Sequence, residues 1–259
     1  MKATEAQLEQ CIKWYHQLNK IGSDVGNLLL GRYILRESQK VISRNPKLKG
    51  TIFARWLAVN YANTAALGIR QAIGTDRQAI SLVNFLRDLV ANPKVLTREI
   101  CILPVTLKYD NLKPRTTLIQ LMEEADLGHY NHFYTELAIP GSDHLNIRLI
   151  GHDLKLIQRK AAKVERFATK RLAHYDKIAP LPVRYVEIDE ALDALDSIMP
   201  KYWKLFSLGH WTTGAEFGSL FPDWQRIFEI PWMRGGRVDN YMAPSTKYES
   251  YAQARSGST

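Results

Sequence analysis

The residues best suited to chemistry lie at 148–177, RLIGHDLKLIQRKAAKVERFATKRLAHYDK. On a helix turning about 100° per residue, Lys155, Arg159, Lys163, Arg166 and Lys170 fall in one sector roughly 80° wide. His174 continues this basic stripe at its C-terminal end. Ile150, Ile157, Ala161, Val164, Ala168 and Leu172 fall in a second sector, also roughly 80° wide, which reads as the core face. The stripe fits two readings. The more ordinary is a solvated cationic face, which costs nothing in water. The sharper is a phosphate-backbone track that ends at a titratable group. Histidine suits proton transfer near neutrality. Neighbouring cations disfavour its protonated form and leave the imidazole able to act as a base. A cation beside it can stabilise the charge that builds on a phosphorane-like transition state. Such a pairing could cleave RNA without metal, with the 2′-hydroxyl as internal nucleophile. Asp176 reads as a local partner that caps or orients His174, or pairs with Lys177.

The elements that must position this stripe read as helices. Residues 4–19 place Leu8, Cys11, Ile12, Tyr15 and Leu18 on one face. A second helix is expected over 24–44, with Ser23 as N-cap and Asn45-Pro46 as its end. Residues 50–73 carry Ile52, Phe53, Trp56, Leu57, Val59, Ala66 and Leu67, and Gly74 closes them. Thr75-Asp76-Arg77-Gln78 has the pattern of a capping box. The helix it opens is expected to bury Ile80, Leu82, Val83, Leu86, Leu89 and Val90, and to stop at Asn92-Pro93. Over 94–140, Pro104 and Pro114 bracket a short piece that could be extended, and 115–138 reads as helical. Pro140-Gly141-Ser142-Asp143 is expected to start a long segment to about Tyr175. Another helix follows over 187–208, with a kink expected at Pro200. The fold class is all-α, a helical bundle. One helical domain is expected over 1–234, with an elaboration at about 94–140, an aromatic extension at about 209–234, and a flexible tail over 235–259.

Composition sets the frame. The 259 residues include 35 Lys plus Arg against 26 Asp plus Glu, a net charge of +9. This favours a polyanionic partner such as nucleic acid, although many soluble proteins carry such an excess without one. Hydrophobic content of 46% and charged content of 24% exclude global disorder, collagen and a disulfide scaffold. Cys11 and Cys101 fit a reducing cytosol. No apolar run reaches a membrane span of ~18–20 residues, and Asn27 and Arg32 interrupt one of the better candidates, Val25–Leu35. The expectation is a soluble cytoplasmic protein with no membrane partner.

Other candidate ligands read as structural. His129 and His132, near Glu123, Glu124 and Glu136, have a spacing that can hold a metal. They lack H-E-x-x-H or a Cys partner, and Tyr130, Phe133 and Tyr134 surround them. His144 and His152 read as surface or helix-end residues. The acidic run Glu187, Asp189, Glu190, Asp193 and Asp196 complements a helix N-terminus. Trp203, Trp211, Trp224 and Trp232 read as packing for the C-terminal extension. No phosphate-cradling glycine loop is present. No metal and no cofactor is expected.

Leu172-Ala173-His174-Tyr175-Asp176-Lys177 resembles the Ala-His-x-Asp end of the HEPN domain, in its AbiU-like abortive-infection branch. Ala66–Leu89 resembles that branch's helix pair, Val186–Leu208 the helix after the motif, and Phe221–Trp232 an aromatic tail. The resemblance spans roughly residues 25–232. It implies a HEPN-type bundle and a homodimer whose two late helices face each other and compose one site. It also implies metal-independent endoribonuclease activity in a defence or stress system of toxin–antitoxin character, with a neutralising partner protein. On this reading His174 is the base or acid, Arg166 or Lys170 holds the phosphate, and Asp176 sits beside them. Lys155, Arg159, Lys163 and Arg171 would contact the RNA backbone. One departure stands out. The family's arginine is expected at 167–169, where this chain has Phe167, Ala168 and Thr169; Arg166 comes one residue early and Arg171 is too close. The alternative is therefore a catalytically inactive HEPN-like module that binds nucleic acid or a partner protein through the same surface.

Overall fold

Thr4 opens a 40-residue helix, α1 (Glu5–Arg44), through a reciprocal capping box with Gln7. The expected break at Ser23 is absent. Buried residues continue across it at three- and four-residue spacing: Cys11, Trp14, Leu18, Ile21, Val25, Leu29, Arg32, Leu35. Lys20 and Asp24 bridge the same turn at 2.7 Å. Asn45 ends the helix as expected. The computed structural model describes residues 4–97, 134–142, 144–173, 183–206, 211–212 and 216–217. The chain divides into units 1–220 and 221–259, and every described residue belongs to the first. Helix accounts for 78% of the described residues and no strand occurs among them, so the described chain is all-α.

Helix α2 (Ile52–Ile73) is capped by Thr51 and closed by Gly74. It buries Ala65, Ala66, Ile69, Ala72 and Ile73. Ile52, Trp56, Val59 and Leu67 point outward instead. Helix α3 (Leu82–Ala91) starts at Ser81, six residues after the expected Thr75 cap. The Ser81 hydroxyl accepts from Asn84 N at 3.1 Å and donates to the Gly74 carbonyl. The Asn84 side chain donates to the carbonyls of Asp76 and Ala79. Residues 75–80 thus form a turn, and Ile80 is exposed. The helix ends at Asn92, as expected.

The expected long segment from Pro140 begins later. Ala138 and Leu145 form an isolated antiparallel bridge, and Asn146 then caps α4 (Ile147–Phe167). A π-helix, Ala168–Ala173, continues α4. The last helix, α5 (Tyr185–Phe206), runs through Pro200.

The expected inner face of α4 is the observed one. Ile150, Ile157, Ala161, Val164 and Ala168 are fully buried, and Leu172 packs against them partly buried. Helix α5 buries ten residues, including Ile188, Leu192, Leu195 and Tyr202. Phe85 meets both Tyr202 and Phe206 edge to face. Trp211 and Phe217 are also buried, so the start of the aromatic extension joins the core. Trp14 and Gln10 both donate to Asp88, at 2.8 and 2.9 Å, which ties α1 to α3. The elaboration at 94–140 is described only near its ends. The tail over 235–259 lies outside the described residues.

Gly22 is where α1 lies close against Trp203 of α5. A Cβ built there would meet the Trp203 ring at 2.5 Å. That ring packs edge to face on Trp211, with centroids 5.5 Å apart. Alanine is the better helix former by about 1 kcal/mol, but overpacking a rigid ring costs about 1–3 kcal/mol. Gly22→Ala is expected to lower the thermal melting midpoint. An unchanged or higher midpoint would show that the two indoles yield without cost.

Candidate nucleic-acid interface

The basic stripe is carried on the outer side of α4. Lys155, Arg159, Lys163, Arg166, Lys170 and Arg171 are all exposed. Among the described residues, Lys155, Arg159, Arg166 and Lys170 meet no carboxylate. Lys163 is different: its ammonium donates to Glu187 Oε1 at 2.9 Å. Beside it, Lys160 bonds Glu190 at 3.0 Å. From Lys155 to Lys170 the unpaired cations cover about 20 Å, at a helical rise of about 1.5 Å per residue.

The acidic run does more than complement a helix start. Glu187 and Glu190 hold α4 through Lys163 and Lys160. Asp189 holds Arg36 of α1 at 3.2 Å. Asp193 and Asp196 both hold Arg32, whose side chain is 7% exposed. One of the two residues that interrupt the apolar run Val25–Leu35, Arg32, is therefore a buried cation. The Glu187 carboxyl is lowered to about 2, first by the Arg184 backbone N–H and then by the Lys163 ammonium. Its folded pKa lies below its ordinary value. Its contribution is therefore present above the usual carboxylate range and is lost as pH falls toward about 2.

The far end of the stripe has a local geometry that spacing alone does not reveal. The positions where an arginine is expected are turned to structural use. Phe167 is partly buried and Ala168 is fully buried. Thr169 Oγ1 accepts a hydrogen bond from Arg70 Nε at 3.0 Å. Arg70 belongs to α2, so a second helix brings a guanidinium to this end of α4. It lies within the Ala66–Leu89 stretch that carries part of the resemblance, although no spacing rule links it to Thr169. Arg171, far from the stripe on an ideal α-helix, is exposed within the π-helix. His174 and Asp176 lie outside the described residues, as do His129 and His132.

A second polar cluster went unnoticed in the sequence. Asp153 is 3% exposed. Its carboxylate accepts from Lys201 Nζ at 2.9 and 3.0 Å and from the Tyr202 hydroxyl at 3.1 Å. Burial, and then the Asp153 charge, push the Tyr202 phenol well above its usual range. Asp153 and Lys201 line a cleft of about 260 Å³ with Glu136, Leu137, Leu149 and His152. The Asp153 carboxylate is satisfied from within the fold, so it acts as a clamp between α4 and α5. The His152 side chain is 76% exposed and lies 3.8 Å from Asp153, in keeping with a surface role. The side chain of His144 is less open, with a buried Nδ1 that has no hydrogen-bond partner. Among the described residues no cluster of His, Cys, Asp and Glu could hold a metal. None of the described helices is long and apolar enough to cross a membrane.

No family model, characterised protein or solved structure matches the chain.

Proposed function

We propose that the chain is a cytoplasmic HEPN-type protein of a defence or stress system that binds RNA along the outer face of α4 and cleaves it without metal at His174. The observation that carries this reading is the contrast between cations. Lys160, Lys163, Arg32 and Arg36 are consumed by the acids of α5. Lys155, Arg159, Arg166 and Lys170 are left exposed on one face. Those four suit a phosphate backbone, which binds by neutralisation and counterion release.

At the end of the stripe, His174 acts as the base or acid, and Asp176 orients it. Arg166 or Lys170 holds the phosphate. Arg70, anchored on Thr169, adds a guanidinium at a position where the resemblance expects one. The 2′-hydroxyl loses its proton and attacks the adjacent phosphorus, and the 5′-oxygen leaves with a proton. The resemblance adds a homodimer and a neutralising partner protein to this reading.

A second reading is a binding module with no cleavage. Phe167, Ala168 and Thr169 at the expected arginine positions favour it. The two are separated by incubating mixed RNA in EDTA with the wild type and with His174→Ala. Cleavage products are expected from the wild type and not from the variant. If the two give the same products, or neither gives any, the enzyme reading fails and the binding module remains.

A further inference from the structure

The turn between α1 and α2 and the outer face of α2 carry chemistry that the stripe does not use. Residues 38–75 contain Lys40, Arg44, Lys47, Lys49, Arg55 and Arg70 and no Asp or Glu. Arg44, Lys47, Lys49 and Arg55 are exposed. Among them stands Trp56, 58% exposed. Its ring lies nearly parallel to that of Phe53, with 25° between planes and centroids 6.2 Å apart. Asn60 braces this turn of α2 by donating to the Trp56 carbonyl at 2.8 Å. The exposed indole next to Arg55 in a stretch without Asp or Glu offers a flat π-face together with positive charge.

We propose that this corner is a base-stacking platform for single-stranded RNA, with Trp56 as the stacking ring and Arg55, Lys47 and Lys49 as its phosphate contacts. The inference rests on the RNA reading of α4 and adds to it a preference for unpaired bases. Charge selects the occupant. A second copy docked face to face would set Arg55 and the turn lysines against their own equivalents, with no carboxylate from residues 38–75 to relieve them. A bilayer would offer anionic headgroups, but it favours a continuous apolar face. Here Asn63 falls on a helical wheel in the middle of the sector formed by Ile52, Trp56, Val59 and Leu67. A single strand offers both a flat π-face and phosphates, the pairing that aromatic and basic side chains recognise together.

The test measures affinity for an unstructured 2′-O-methyl RNA, which lacks the nucleophile and stays intact. Wild type, Trp56→Ala and Trp56→Phe are compared on this strand and on a duplex of equal length. Trp56→Ala is expected to weaken single-strand binding by about 5- to 150-fold, the range for loss of one stacked base. Trp56→Phe should restore most of it. Duplex affinity and the salt slope should not change. Equal single-strand affinity for wild type and Trp56→Ala overturns the platform and leaves the α4 reading in place. No RNA binding by the wild type overturns both. Sedimentation with phosphatidylserine vesicles that Trp56→Ala abolishes, with RNA affinity intact, reassigns the corner to a membrane surface and overturns the proposal.

Discussion

Replacing Lys155, Arg159, Arg166 and Lys170 together by glutamine is expected to weaken single-stranded RNA binding by about 600-fold at 0.1 M salt. The figure follows from counterion release at a slope of about −0.7 per phosphate contact, or about fivefold per contact at that salt, compounded over four contacts. The fold should survive the change. All four side chains are exposed, and glutamine is close to lysine and arginine in helix propensity. The buried face of α4 is untouched. Lys160→Gln is the control, because that ammonium already meets Glu190; its effect should be severalfold at most. Filter binding or anisotropy on the two variants checks both statements. A fourfold variant that binds like the wild type would reduce the stripe to a solvated face.

Asp153→Ala is expected to destabilise the fold by about 2–3 kcal/mol. Breaking a buried ion pair from one side costs about 3–5 kcal/mol. The lower range applies because the Lys201 side chain is 42% exposed and can recover water. The Tyr202 hydroxyl cannot, because Tyr202 is fully buried and loses the partner it donates to. His152→Ala, next in sequence and largely exposed, should stay within about 0.5 kcal/mol of the wild type. Urea unfolding of the two variants separates the cases. Equal midpoints for Asp153→Ala and the wild type would contradict the clamp between α4 and α5.

What was legible in the sequence followed from periodicity under strong amphipathic contrast. The two faces of α4 were legible because five core positions alternate with the five stripe cations over 150–170, with Lys160 and the buried Asp153 as the departures. The ends of α1, α2 and α3 at Asn45, Gly74 and Asn92 were legible from Pro and Gly placement. The join inside α1 was not. Ser23 has a good cap side chain, and only tertiary burial on both sides of it decides for one helix. The start of α3 was misplaced for a related reason. Thr75 and Gln78 match a capping box, but Ser81 gains an extra bond to Gly74 and wins. The outward face of α2 was not legible, because hydropathy cannot tell an inner apolar stripe from an outer one. The Asp153 clamp and the Arg70–Thr169 contact link positions 48 and 99 residues apart, and no local pattern encodes such pairs. Part of the cation count is internal. Lys160, Lys163, Arg32 and Arg36 pair with the acidic run of α5, so the count of 35 Lys and Arg, unlike the net charge, overstates what is left for a polyanion.

The central claim is that four cations of α4 hold a phosphate backbone. The salt dependence of single-stranded RNA affinity tests it most directly, comparing the wild type with the fourfold glutamine variant on one intact oligonucleotide. A log–log slope steeper than that of the variant by about 2.8 is predicted, from about −0.7 per contact over four contacts. The same slope for both proteins, or a wild-type slope near zero, would contradict it.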